Sequence, residues 1–159
     1  MGSESDILFR EIQRFRQPWL WGLVILTMLV ALFLVSVNGI VLIELVLLSV
    51  FPAVFGIFYS AKLTTEVHKD GVYIKFFPFH LSRQHVSFDE IESYRRKKYS
   101  PVFDYGGWGI RTNSSRETAY TVSGNLGILL HRSSKPSLMI GTQNPREFVE
   151  AIEKANATA

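Results

Sequence analysis

The chain has 159 residues, 17 Lys plus Arg against 14 Asp plus Glu, and a formal net charge of +3, enough for one ordinary domain or for a smaller domain with a membrane anchor. It has no cysteine, which excludes disulfides, thiolate metal sites and a cysteine nucleophile. From Ser60 onward fourteen Lys plus Arg stand against ten Asp plus Glu, a surplus of +4 that suits anionic lipid headgroups but falls short of the dense basic face that drives nucleic-acid binding.

Residues 1–17 come first. In ILFREIQRFRQ, Ile7, Leu8, Ile12 and Phe15 fall on one side of a helical wheel and Arg10, Gln13, Arg14 and Gln17 on the other, a pattern that predicts an amphipathic helix lying in the membrane interface.

Residues 18–60 are almost free of charge. WLWGLVILTMLVALFLVSV, from Trp19 to Val37, is nineteen residues without a charge, about the length that crosses the hydrocarbon of a bilayer. After Asn38-Gly39 a second run from Ile40 to Tyr59 is twenty residues long, interrupted by Glu44 and Pro52. Two full-length apolar runs do not fit a signal peptide, whose apolar region is about 7 to 15 residues. They predict a two-helix transmembrane hairpin. Arg10, Arg14 and Arg16 precede it, and Lys62 and Lys69 follow it, so the positive-inside rule places both termini in the cytoplasm. Trp19, Trp21 and Tyr59 join those arginines as interface anchors.

Glu44 and Pro52 stand out within the second run. A carboxylate in hydrocarbon costs at least about 2.5 kcal/mol, which makes Glu44 a candidate for an ion or proton path, although one turn from the bend it also fits a shallow interfacial carboxylate. Pro52 is expected to kink the helix by removing a donor. Ser49 with Ala53, and Gly56 with Ser60, supply small residues at helical spacing through which a homo-oligomer would pack.

Residues 61–159 change to a period of two. TTEVHKDGVYIKFF reads as a hairpin turning at Lys69-Asp70-Gly71. HVSFDEIESYRRKKY, GWGIRT, TAYTVSG, GILLHRSS and PSLMIGT are short segments rich in β-formers and broken by turn residues, which predicts an antiparallel barrel or sandwich. Asn144-Pro145-Arg146-Glu147 then supplies an N-cap, a proline at the first helical position and a capping-box glutamate ahead of the apolar stripe Phe148, Val149 and Ile152. The expected fold class is therefore a membrane α-helical hairpin plus an α+β soluble domain capped by one C-terminal helix.

That order of strands and final helix resembles the pleckstrin-homology-like (PH-like) fold. Two spans followed by TEVHKDGVYIKFFPF, SFDEIESYRRKKY, YGGWGIR, AYTVSGNLGILL and LMIGTQNPREFVEAI resemble a family of uncharacterised prokaryotic membrane proteins with a PH-like domain. The resemblance covers nearly the whole chain and implies architecture and membrane location; it carries no established activity and does not by itself confer phosphoinositide binding.

Arg95-Arg96-Lys97-Lys98 is the strongest local feature, a candidate site for lipid or a protein partner. On a strand these four would alternate between faces and protect an edge; in a loop they would form one basic surface. Trp108, within Tyr105-Gly106-Gly107-Trp108-Gly109, is either a binding residue or a core residue beside a turn, and Gly124-Asn125-Leu126-Gly127 reads as a hairpin turn. His68, His80, His85 and His131 are scattered without metal-ligand spacing, and no nucleophile-base arrangement or P-loop is present. The expectation is a non-catalytic membrane protein with neither cofactor nor metal, whose partners are membrane lipids, further copies of itself or a cytoplasmic protein, and not nucleic acid. The alternative is a small oligomeric channel or transport component with Glu44 lining its path.

Overall fold

The computed structural model describes residues 7–38, 41–80 and 82–157, with the side chains of residues 38 and 41–45 outside that description. The chain divides into two compact units: a helical unit, Phe15–Ala61, and a β-rich unit that joins the residues up to Arg14 to those from Lys62 onward.

In the helical unit, α1 (Pro18–Asn38) and α2 (Val41–Ser60) lie antiparallel. The start of α1 meets the end of α2 through aromatic rings, with Trp21 4.9 Å from Phe55 and Phe15 5.8 Å from Phe58. Trp21 Nε1 donates to the Phe15 carbonyl at 3.1 Å. The hydroxyls return to their own helices: Thr27 donates to the Val24 carbonyl at 2.9 Å, Ser36 to Phe33 at 2.8 Å and Ser49 to Val46 at 2.8 Å. That local bonding satisfies the hydroxyls within their own helices. Among the described residues one helix, α1 over Pro18–Val37, is long and apolar enough to cross a membrane, and only 6% of it is buried. In α2 the apolar stretch with described side chains is the shorter Val46–Ser60. The helix runs through Pro52 without a break, while the Glu44 side chain and the Gly39 bend lie outside the described residues.

The β-rich unit contains two sheets. The first has the order β1 (Phe9–Arg14), β2 (Lys62–His68), β3 (Gly71–Phe77), β4 (Gln84–Ser87), antiparallel throughout. The turn between β2 and β3 falls where expected, and Gly71 has φ 153° with Val86 O only 2.3 Å from where a Cβ would stand, so only glycine fits there. The expected interfacial helix is replaced by β1. FREIQR alternates as strictly as a strand requires, with Phe9, Glu11 and Gln13 buried and Arg10, Ile12 and Arg14 exposed; the pairing Arg10↔Glu66 through Arg14↔Lys62 satisfies its backbone. Arg10 is thus a sheet residue of the β-rich unit rather than an anchor on an amphipathic helix.

The second sheet joins β5 (Ile91–Lys98), β6 (Gly109–Thr112), β7 (Thr118–Thr121), β8 (Leu126–Arg132) and β9 (Leu138–Gly141) in the order β5-β8-β9-β7-β6. It is not wholly antiparallel: β7 and β9 are parallel neighbours. The turn expected at Gly124–Gly127 therefore does not close a hairpin, because β9 lies between β7 and β8 and pairs with both. Among the described residues neither sheet closes into a barrel. The short α3 (Pro101–Tyr105) follows β5, and α4 (Pro145–Asn156) ends the unit.

The core lies where α4 meets both sheets. Phe148, Ala151, Ile152 and Ala155 are its buried stripe, and Phe148 stacks on Phe9 of β1 at 5.1 Å. The capping box does not form; Asn144 makes no side-chain cap, and its own N–H donates to Thr142 Oγ1 at 3.0 Å. Phe9→Ala, which opens a cavity against α4, should cost about 3 kcal/mol, and a chain starting after Arg14 should lose the folded β-rich unit altogether. Thermal melting in detergent, and the protease resistance of the β-rich unit, check both outcomes.

Candidate functional site

The outward face of the first sheet collects charge. Arg10 and Arg14 of β1, Lys62, Glu66 and His68 of β2, and Lys75 of β3 share it through the period-two alternation and the pairings Arg10↔Glu66, Arg14↔Lys62 and Thr64↔Lys75. Arg83 enters from the segment before β4. A cavity of about 360 Å³ opens here, lined by Arg10, Lys62, Lys75 and Arg83 together with Thr64, Glu66 and Phe77, near the lower end of small-molecule sites.

Glu66 organises the recess. It is only 1% exposed, and its carboxylate meets Arg83 Nη1 at 2.7 Å, His68 Nε2 at 3.2 Å and Arg10 Nε at 3.3 Å. The Arg83 contact is a charge-assisted hydrogen bond, whereas Oε1 beside Arg10 makes a charge contact without hydrogen-bond geometry. A buried carboxylate needs such partners, since isolation from water would cost several kcal/mol. Both guanidinium groups remain half exposed, and Lys62 and Lys75 have no ion-pair partner among the described residues.

An aromatic column continues the face. Tyr73 lies between His68, at 4.6 Å, and His85, at 4.4 Å, and donates to Asp70 Oδ2 at 2.6 Å. That hydrogen bond, against the opposing effect of burial, holds the Asp70 carboxyl below 3.8, and the same bond with burial pushes Tyr73 up to about 12.

The Arg95–Lys98 run is a strand at the edge of the second sheet, so alternation splits it. Arg95, Arg96 and Lys98 are exposed, while Lys97 bridges to Glu117 at 3.2 Å beside the Tyr105 ring. Tyr105 also donates to Glu117, and burial, reinforced by that carboxylate, raises its hydroxyl pKa. Trp108 is half buried, after glycines 106 and 107 at φ 71° and 131°. Trp19 and Tyr59 are exposed on the helical unit, whereas Trp21 packs against Phe55. The recess brings together none of the four cations most conspicuous in the sequence. Its own residues are dispersed from position 10 to position 83, and the signal that could have found them is the outward parity of the β2–β3 hairpin, which puts Lys62, Thr64, Glu66 and Lys75 on one face. Among the described residues no group of three His, Asp or Glu is placed to hold a metal ion.

The protein is thus an α+β chain with a cation-rich recess on one sheet and a helix of membrane-crossing length. It belongs to a family of unknown function (DUF6141), whose model matches residues 2–159. No curated protein and no solved structure matches it.

Glu66→Ala removes the carboxylate that pairs Arg83 and Arg10, but both guanidinium groups are half exposed and stay solvated, so it should cost only about 1 kcal/mol, read from denaturant melts in detergent. Tyr73→Phe should show a window in pH. Unfolded Asp70 is ionised above 3.8, so its contribution is complete there and fades as pH falls through the lowered folded value; Tyr73 contributes fully below 10.0 and loses this as pH rises toward about 12. The melting temperatures of variant and wild type should differ most between those limits and converge on the acid side.

Proposed function

We propose that this is a non-catalytic integral membrane protein whose β-rich unit, read as a PH-like domain, serves as a binding or assembly module at the cytoplasmic membrane surface. In this reading α1 and α2 both cross the bilayer, the termini are cytoplasmic, and the helical unit carries the contacts of a homo-oligomer. The observation that carries it is α1: twenty residues over Pro18–Val37, without a charge and almost wholly unburied by the rest of the chain. In water such a surface would be a large aggregation-prone patch, whereas hydrocarbon is its natural solvent.

Three further observations support the reading. In α2, twenty helical residues span about 30 Å, enough for a second crossing. Arg14 and Arg16 precede the pair and Lys62 and Lys69 follow it, the asymmetry that retains both ends in the cytoplasm. The basic recess, lined from β1, β2, β3 and the segment before β4, offers a surface for anionic headgroups or for an acidic protein partner.

The full-length protein should stay in the membrane pellet after alkaline carbonate washing. Reporter domains fused to either end should be active only in cytoplasm-specific form. Release by carbonate would end the membrane assignment, and an external C-terminus would reduce the two crossings to one.

A further inference from the structure

We propose that the recess on the first sheet binds a phosphate monoester through Arg10, Lys62, Lys75 and Arg83. This names the ligand of the module proposed above; only its lipid version rests on that reading, because the recess lies wholly within the β-rich unit.

Four cations line the cavity against one carboxylate, a surplus that only a multiply charged anion would match. A phosphate monoester carries about −1.5 to −2 at neutral pH and presents three strong acceptor oxygens. Glu66 does not block it, because that carboxylate is already taken up by Arg83, His68 and Arg10. It fixes the two guanidinium groups instead. Arg83 meets it through Nη1 and Arg10 through Nε, so of the five N–H donors on each group the remainder are left for a ligand. Planar guanidinium groups match phosphate oxygens in pairs, and the two lysines supply mobile point charges. Lys62 and Lys75 are half-buried stems without an ion-pair partner among the described residues, held next to one another by the register Lys62↔Phe77 and Thr64↔Lys75. Phe77 gives the recess an apolar wall for the organic part of the ester, and the volume of about 360 Å³ leaves room for it beyond the phosphate. A monocarboxylate would neutralise less of the surplus, and a nucleic-acid backbone needs a continuous basic track rather than one recess.

The phosphate has two possible sources, a soluble ester or the headgroup of a lipid such as phosphatidate. Full-length protein in phosphatidylcholine nanodiscs, titrated calorimetrically with glycerol 3-phosphate at low salt, should bind it saturably in either case. Lys62→Gln with Lys75→Gln should weaken that binding by about tenfold or more with an unchanged melting temperature, and Lys75→Gln alone serves if the double variant melts early. Phosphatidate added to the nanodiscs should compete with the probe if the source is lipid, and leave it unaffected if the source is soluble. Absence of saturable binding in phosphatidylcholine nanodiscs, or binding that persists undiminished in folded variants, overturns the proposal. Should the chain prove soluble without detergent, the same titration runs in buffer, so a failure of the membrane assignment is seen separately.

Discussion

The structure of the β-rich unit depends on a polar clasp between residues that lie more than a hundred positions apart. Glu11 accepts from the hydroxyl of Thr142 and from the Gln143 N–H at 2.9 Å, and Gln13 donates to the Gly141 carbonyl at 2.7 Å. Both side chains are buried, so leaving either without its partner would cost the desolvation of a polar group, about 1 to 3 kcal/mol. The clasp ties β1, which comes before the helical unit in sequence, to the end of β9, which comes near the finish. Without it the first sheet would lose an edge strand and α4 would lose Phe9, its stacking partner.

That constraint explains why the helices can be inserted where they are. Arg14 and Lys62 are directly opposed across β1 and β2, so the whole of Phe15–Ala61 takes the place of a hairpin turn. The closure entropy of an insertion grows only slowly with its length, and an antiparallel helix pair returns the chain close to where it left. Trp21, Phe55 and Tyr59 pin the two ends of the pair together. Insertion at closely spaced ends is the arrangement a domain tolerates best. It also makes the β-rich unit discontinuous, so the segment ahead of α1 is part of its fold and not a detachable tail.

How much of this was legible follows from how local each signal is. The helical runs, the β2–β3 turn at Gly71 and the helix α4 are written in adjacent residues and stand where the sequence places them, although the buried stripe of α4 takes Ala151 and Ala155 with Phe148 and Ile152 and leaves Val149 half-buried. β1 reads as a helix in the sequence because FREIQR satisfies two periods: Arg10 and Arg14 are one helical turn apart, and they are also on one face of a strand. What decides between them is pairing with β2, across the helical unit. The parallel pairing of β7 and β9 is equally non-local, since Gly124–Gly127 looks like any tight turn until another strand enters beside it. The recess is hidden in the sequence for the same reason. Lys62, Glu66 and Lys75 form a face once the hairpin is registered, but Arg10 and Arg83 join only after both sheet edges are built.

The conspicuous cations and the inconspicuous ones then divide the work differently from what their spacing suggests. Arg95–Lys98 lies on β5, an outer strand with a register shift between Ile91 and Ser93. A row of exposed arginines and lysines on such a strand repels an approaching copy of itself, and a bulge bends the ladder away from further pairing. Lys97 is held by Glu117 rather than offered to a ligand. Assembly by strand addition along β5 is therefore disfavoured. The dispersed cations of the first sheet have the opposite arrangement: two are fixed by one buried carboxylate, two have no ion-pair partner among the described residues, and all four border one cavity. Charge that converges on a recess favours a compact anion, whereas charge strung along an edge mainly keeps other strands away.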